Sequence, residues 1–374
     1  MEDFLRGLVL DLGKRCLTLQ QVLQSRAFSP DVQDYVVGIH VLLNNIYNEI
    51  QLLLEDPAFG APQLLPNQLN EYKRLAQTVY LIESYPLPVI TRYNEEDHQM
   101  FLLCKSLATQ INYPLPVPVL STFSREYYWS EVRFNLISVP VCEGSFLLGL
   151  PDLCHELGHI LFFHYERDFS YEFLVDLSEY IEKEKREVDA GRRPPGYKPF
   201  YDHIHALWKG PWIKEFASDM IATYIVGPAY AWANMSLCSK MSPNIFSPED
   251  PTSHPPDESR MRAVFAIFRC AGIQDTVEKI DQRWKRYIAL TGNLEPPDYH
   301  LSYPDSLLTS LANHIYKACI GVSLRMFTEQ KQSSGSINIP LLLNEAWDVF
   351  LTSPESYSQW EANCVNDLRA ALNR

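Results

Sequence analysis

The string His155-Glu156-Leu157-Gly158-His159 sets two imidazoles four positions apart. In a helix that spacing stacks both rings on one face, where they can grip a single metal ion. Glu156, next to the first ring, is then set to stand beside a metal-bound water, take its proton and later hand that proton to a leaving amine. The flanking residues Leu153, Leu157, Ile160, Leu161 and Phe162 are apolar, so the helix is buried and its polar side chains need partners or a metal. The predicted chemistry is hydrolysis by metal-activated water, with one Zn²⁺ per chain.

Two histidines make half a site. A metzincin-like third ligand is missing, because Phe162 and Tyr165 stand where that pattern needs Gly and His or Asp, and His164 is one residue out of register. His164 reads instead as a helix-end residue. Downstream, Lys214-Glu215-Phe216-Ala217-Ser218-Asp219 again sets two carboxylates one helical turn apart. Glu215 supplies the third ligand in this reading, and Asp219 accepts the spare ring proton of a ligating histidine, fixing its tautomer. The run that follows (Met220, Ile221, Ala222, Tyr224, Ile225, Val226) is too apolar for a solvated surface pair. Three protein ligands leave a fourth position open for water, as catalytic zinc sites do.

Together, His155-Glu156-x-x-His159 and Glu215-x-x-x-Asp219 resemble the gluzincin metallopeptidases. A third segment, Ser253-His254-Pro255-Pro256-Asp257-Glu258-Ser259-Arg260, is similar to the His-Pro-x-x-x-x-Arg stretch of the prenyl-protein and stress-response membrane endopeptidases. The resemblance spans about residues 130–265 and departs from that family in lacking its transmembrane helices. Glu215 to Ala222, ending in Gly227-Pro228, also resembles small cytosolic metallopeptidases that cleave regulators. The resemblance implies that His254 stabilises the oxyanion on the attacked carbonyl, and that Arg260 orients its loop or pairs with a carboxylate. It further implies an edge strand at 135–141, with Asn135, Ile137 and Val139 meeting an extended substrate. Pro140, which lacks an N–H, favours an edge position.

These residues need a frame of helices and a small sheet. The metal helix is expected to start at Pro151 and run through His164. Before it, helical spacing over 3–25, 30–55, 67–84 and 94–111 predicts a helical bundle, with turns at 60–66 and 85–88. A texture change at 114–118 introduces β-favouring residues up to Val141 and predicts one or two strands. Later helices are expected at 171–187 and 199–233 with a break at Gly210-Pro211. A loop with five prolines follows at 241–257, then four or five helices interrupted at 292–304 and by the Ser/Gly stretch 332–337. The expected class is mainly α with a small sheet (α+β): a helical region at 1–115, a zincin-like core at 116–265, and a helical region at 266–374 packed on that core.

A net charge of -14 without a dense basic stripe argues against nucleic acid as a partner. No stretch reaches the roughly 18 apolar residues that span a bilayer, so no membrane insertion is expected. Eight scattered cysteines without a Cys-x-x-Cys pair, and acidic residues at Glu2 and Asp3, fit a cytoplasmic, reducing setting. Cys154 and Cys142 lie near the motif, but small buried cysteines are common and neither is expected to regulate the metal. The leading reading is a soluble zinc endopeptidase acting on a protein or peptide. A zinc-stabilised scaffold or sensor that binds a protein partner, and a zinc hydrolase of a non-peptide amide, are the alternatives.

Overall fold

The computed structural model describes residues 1–124, 127–247, 253–330 and 337–373. Part of the proline-rich loop (248–252) and most of the Ser/Gly stretch (332–336) therefore lie outside the described residues. The fold is mainly α with one small sheet, as the periodicity predicts.

The chain divides into two compact units, one of residues 1–101 with 119–121, the other of 102–118 with 122–374. The first unit is built on α1 (Glu2–Gln24), α2 (Pro30–Glu55), α3 (Leu65–Ser84), α4 (Pro86–Arg92) and the start of α5 (Glu95–Gln110). In α1 the buried apolar positions Leu5, Val9, Leu12, Cys16, Leu19 and Leu23 recur at four and three, and in α2 Val32, Val36, Ile39, Leu43, Ile46 and Ile50 do the same. Each set is one stripe, and the two helices pack against each other. The turn expected at 85–88 is helix instead. Pro86 and Pro88 occupy the first turn of α4, where a missing N–H costs no helical hydrogen bond.

Three strands, β1 (Val119–Ser121), β2 (Trp129–Glu131) and β3 (Leu136–Ser138), form a sheet in the order β1-β3-β2. β2 and β3 are antiparallel, with Ser130 opposite Ile137. Their link is a 3₁₀ turn, Val132–Phe134, closed by Asn135 in the left-handed region at φ 47°. This corrects the expectation of an edge strand at 135–141. β3 is central, Ile137 and Val139 are fully buried, and the Val139 carbonyl accepts the Ser124 N–H at 3.1 Å.

The second unit holds α6 (Pro151–His164), α7 (Glu166–Asp189), α8 (Tyr197–Leu207), α9 (Ile213–Val226), α10 (Pro228–Met241), α11 (Asp257–Cys270), α12 (Gln274–Thr291), the single turn α13 (Tyr299–Ser302), α14 (Asp305–Gly321), α15 (Ile339–Thr352) and α16 (Pro354–Leu372). Its centre is the pair α6 and α9, both apolar almost all round and both nearly wholly buried. Gly158 permits their approach: a Cβ there would lie 2.9 Å from the Ser218 Cα and 3.1 Å from its carbonyl oxygen. Only a residue without a side chain lets the two backbones meet this closely.

The break expected at Gly210-Pro211 is absent. Trp208–Trp212 forms a widened π turn that carries α8 into α9 without interruption. The buried Trp208 anchors it, stacking on Phe216 at 4.7 Å and donating from Nε1 to the Ser302 carbonyl at 2.8 Å. The chain breaks at Gly227 instead, at φ 63° and ψ -135°, where a Cβ would strike the Phe327 ring.

The division between the compact units falls inside α5, because residues just after it are tied into the second unit: the Tyr113 hydroxyl donates to the Leu157 carbonyl at 3.1 Å, and the Ile111 carbonyl accepts the Arg325 N–H at 2.8 Å. Residues 266–374 belong to the same unit as the 116–265 core helices, with α14 packed on α7, α9 and α11, and α15 on α9 and α10.

Candidate metal centre

α6 delivers His155 and His159 from consecutive turns of one face, with their Nε2 atoms 3.0 Å apart. From α9, Glu215 places Oε1 3.4 Å from the His159 Nε2 and Oε2 3.5 Å from the His155 Nε2. A tetrahedral ion with bonds of about 2.0–2.1 Å holds its donor atoms about 3.3–3.4 Å apart. The two carboxylate-to-imidazole separations stand near that spacing, one through each Glu215 oxygen, and the two imidazole nitrogens lie somewhat closer. Glu215 Oε2 is buried and has no hydrogen-bond partner, a costly arrangement for a carboxylate oxygen unless something binds it. The donor set and this orphaned oxygen both fit a metal ion.

Glu156 is buried beside the pair, with a carboxylate oxygen within 4.8 Å of a ligand atom of each histidine. Among the described residues these three form the one cluster of metal-binding type with ligand atoms that close together. Glu215 joins it through the two distances above.

Behind the donors lies a charged network. The His155 Nδ1 is 2.9 Å from Asp219 Oδ1, which leaves Nε2 facing the donor cluster. Arg260 grips Asp219 with two hydrogen bonds, Nε to Oδ2 at 2.8 Å and Nη2 to Oδ1 at 2.7 Å, and its Nη2 also lies 3.7 Å from Glu215 Oε2. The Tyr230 hydroxyl donates to Asp219 Oδ1 and sits 3.1 Å from the His155 Nδ1.

Electrostatics follow from this arrangement. Burial alone would raise the Asp219 carboxyl, but Arg260 and His155 outweigh it and hold the group down at about 2. Glu215 is likewise held well below the usual carboxylate range, burial being overcome by the two histidines and Arg260. For His155, burial opposes the charged ring, yet Asp219 and Glu215 prevail and lift it to about 10. His159, with burial dominant, is lowered.

The remaining predicted residues are placed as follows. His254 is at the rim, its side chain 57% exposed, with Nε2 3.7 Å from Glu215 Oε1 and Nδ1 2.9 Å from the Ser253 hydroxyl. Arg260 lies under the cluster on α11. Asn135, Ile137 and Val139 belong to the sheet and its turn and make none of these contacts. His164 ends α6 exposed, and burial pushes the Cys154 thiol well above its usual range, which removes its thiolate reactivity.

Sequence reasoning missed Tyr230. It lies in the apolar stretch after Gly227-Pro228, where a tyrosine reads as core. The only available signal is general: a buried tyrosine hydroxyl must find a partner. Asp152, in the first turn of α6 and buried beside the site, was missed as well.

Comparison of the chain with family models, with curated proteins and with solved structures finds no match.

Proposed function

We propose that this protein is a zinc-dependent peptidase in which His155, His159 and Glu215 hold the ion and Glu156 is the general base. The observation that carries the reading is the convergence of the two imidazole Nε2 atoms, 3.0 Å apart, on the Glu215 carboxylate at 3.4 and 3.5 Å, with its buried Oε2 making no hydrogen bond. When bound, the zinc ion lowers the pKa of a water from 15.7 to about 7 and polarises the carbonyl under attack.

Glu156 takes the proton of that water and delivers it to the leaving amine. His254, at the exposed rim, donates its Nε2 proton to the oxyanion as charge develops there. Asp219 holds the His155 ring by Nδ1, and Arg260 keeps Asp219 charged. The substrate is a protein or peptide, and the eight unpaired cysteines fit a cytoplasmic setting. No helix among the described residues is long and apolar enough to cross a membrane.

A second reading rests on His254. Its approach to Glu215 would let it close a fourth position, and a site with four protein ligands belongs to a zinc-stabilised scaffold that captures a protein partner. Against this stands Glu156, a buried carboxylate beside the ligand atoms that a structural site does not need.

Glu156→Gln separates the readings. Incubated with a mixture of unstructured peptides and followed by mass spectrometry, the wild type should cut and Glu156→Gln should lose at least about 10²-fold in rate, the low end of a general-base contribution, while retaining its zinc. Cleavage surviving in the variant would remove Glu156 from the role. Absence of cleavage by the zinc-loaded wild type would favour the scaffold.

A further inference from the structure

Asp219 Oδ1 is an unusually crowded acceptor. It receives Arg260 Nη2 at 2.7 Å and the Tyr230 hydroxyl, and lies 2.9 Å from the His155 Nδ1. Of these three donors, Tyr230 alone touches both Asp219 and His155: its hydroxyl is 3.1 Å from the ring nitrogen, and its ring lies parallel to the imidazole, 6° between planes and 6.1 Å between centroids. The side chain comes from α10, which starts after the break at Gly227 and packs on both α6 and α9, the helices that carry the donors. Tyr230 is 1% exposed.

We infer that Tyr230 is a positioning residue of the metal centre, fixing the direction of the Asp219 carboxylate and the plane of the His155 ring so that Nε2 faces the ion. The inference rests on the zinc reading above. Arg260 alone cannot do this. Its two bonds fix the carboxylate plane from one side and do not reach the imidazole, which needs a link that ties Nδ1 to a single acceptor orientation. The tyrosine supplies that link: its hydroxyl donates to Oδ1 and lies against Nδ1, with its ring parallel to the imidazole. Partners that orient a metal-bound histidine in this way typically govern metal affinity by about 10–100-fold.

Tyr230→Phe keeps the ring and deletes the hydroxyl. Zinc affinity, measured on the whole chain by competition with a chromophoric chelator, should weaken by about 10-fold or more, with the helical circular dichroism of the metal-free protein unchanged. Tyr224→Phe is the control. It also deletes a buried hydroxyl bond, from Tyr224 on α9 to the Leu324 carbonyl at 3.2 Å, and should leave zinc affinity as in the wild type. Equal zinc affinity in Tyr230→Phe and wild type would overturn the inference, as would equal weakening in both variants. Should Tyr230→Phe fail to fold, proton NMR of the wild type decides: a slowly exchanging, strongly downfield Tyr230 hydroxyl proton with a nuclear Overhauser contact to the His155 ring supports the role, and its absence defeats it. A wild type that binds no zinc is a different failure, that of the metal reading itself.

Discussion

Asp152 shows how the burial that builds the centre also loads it. It lies three residues before His155 in the first turn of α6, is 6% exposed, and leaves Oδ2 without a partner. Burial pushes its carboxyl up to about 6, although the Tyr127 hydroxyl and the His155 ring pull the other way. The folded value thus stands above the unfolded one of about 3.9. Stability linked to this group is therefore fully present below about pH 4 and lost as pH rises through about 6. A rise of that size corresponds to about 2–3 kcal/mol. In metal-free protein, Asp152→Asn should melt higher than the wild type at pH 7, and the gain should vanish at pH 4. A gain that stays constant across that range would show that Asp152 is not forced to ionise against its surroundings.

At this scale the sequence was most informative where chemistry is tied to helical period. His155 and His159, and Glu215 and Asp219, are pairs whose spacing alone puts them on common faces. Tyr230 has no such spacing to any of them, and its hydroxyl is invisible in an apolar run.

Between elements, the decisive contact is the crossing of α6 and α9 at Gly158. Because the atoms that a Cβ would meet at 2.9 and 3.1 Å are backbone, no side-chain rotation relieves the clash. Gly158→Ala should therefore push the helices apart, costing about 1–3 kcal/mol as overpacking does, and should separate Glu215 from the histidines. Chemical denaturation with and without zinc is the check. Destabilisation should be accompanied by weakened metal binding, and a variant as stable as the wild type would mean that the helices are not held at contact distance.

Helix positions were legible wherever an apolar stripe repeats, as in α1 and α2. Two readings failed because their outcome depends on distant partners. Gly210-Pro211 has the local signature of a break, yet Trp208 and Trp212, buried against residues far along the chain such as Ser302 and Tyr303, hold a π turn there. Strand order is not a local property either, so Pro140 suggested an edge while β1 and β2 take both sides of β3.

For the whole molecule, the sequence conveyed the mainly helical class but not the units. Texture changes near Pro114 mark where strands begin, whereas the division lies inside a continuous helix that carries no break signal. The C-terminal helices are part of the unit that holds the candidate metal centre. Asn344 of α15 spans the α9–α10 break, donating to the Val226 carbonyl at 2.8 Å and accepting the Ala229 N–H at 3.0 Å. The centre is thus built from α6, α9, α10 and α11, residues far apart in the chain that only the folded unit brings together.

The most direct test of this account is the metal content of the purified chain and of its His155→Ala and Glu215→Ala variants, by plasma mass spectrometry after mild chelation. The account predicts about one zinc per wild-type chain, as a single three-ligand site requires, and loss of that zinc in both variants with the helical fold retained. A wild type without zinc, or full retention in Glu215→Ala, would contradict it.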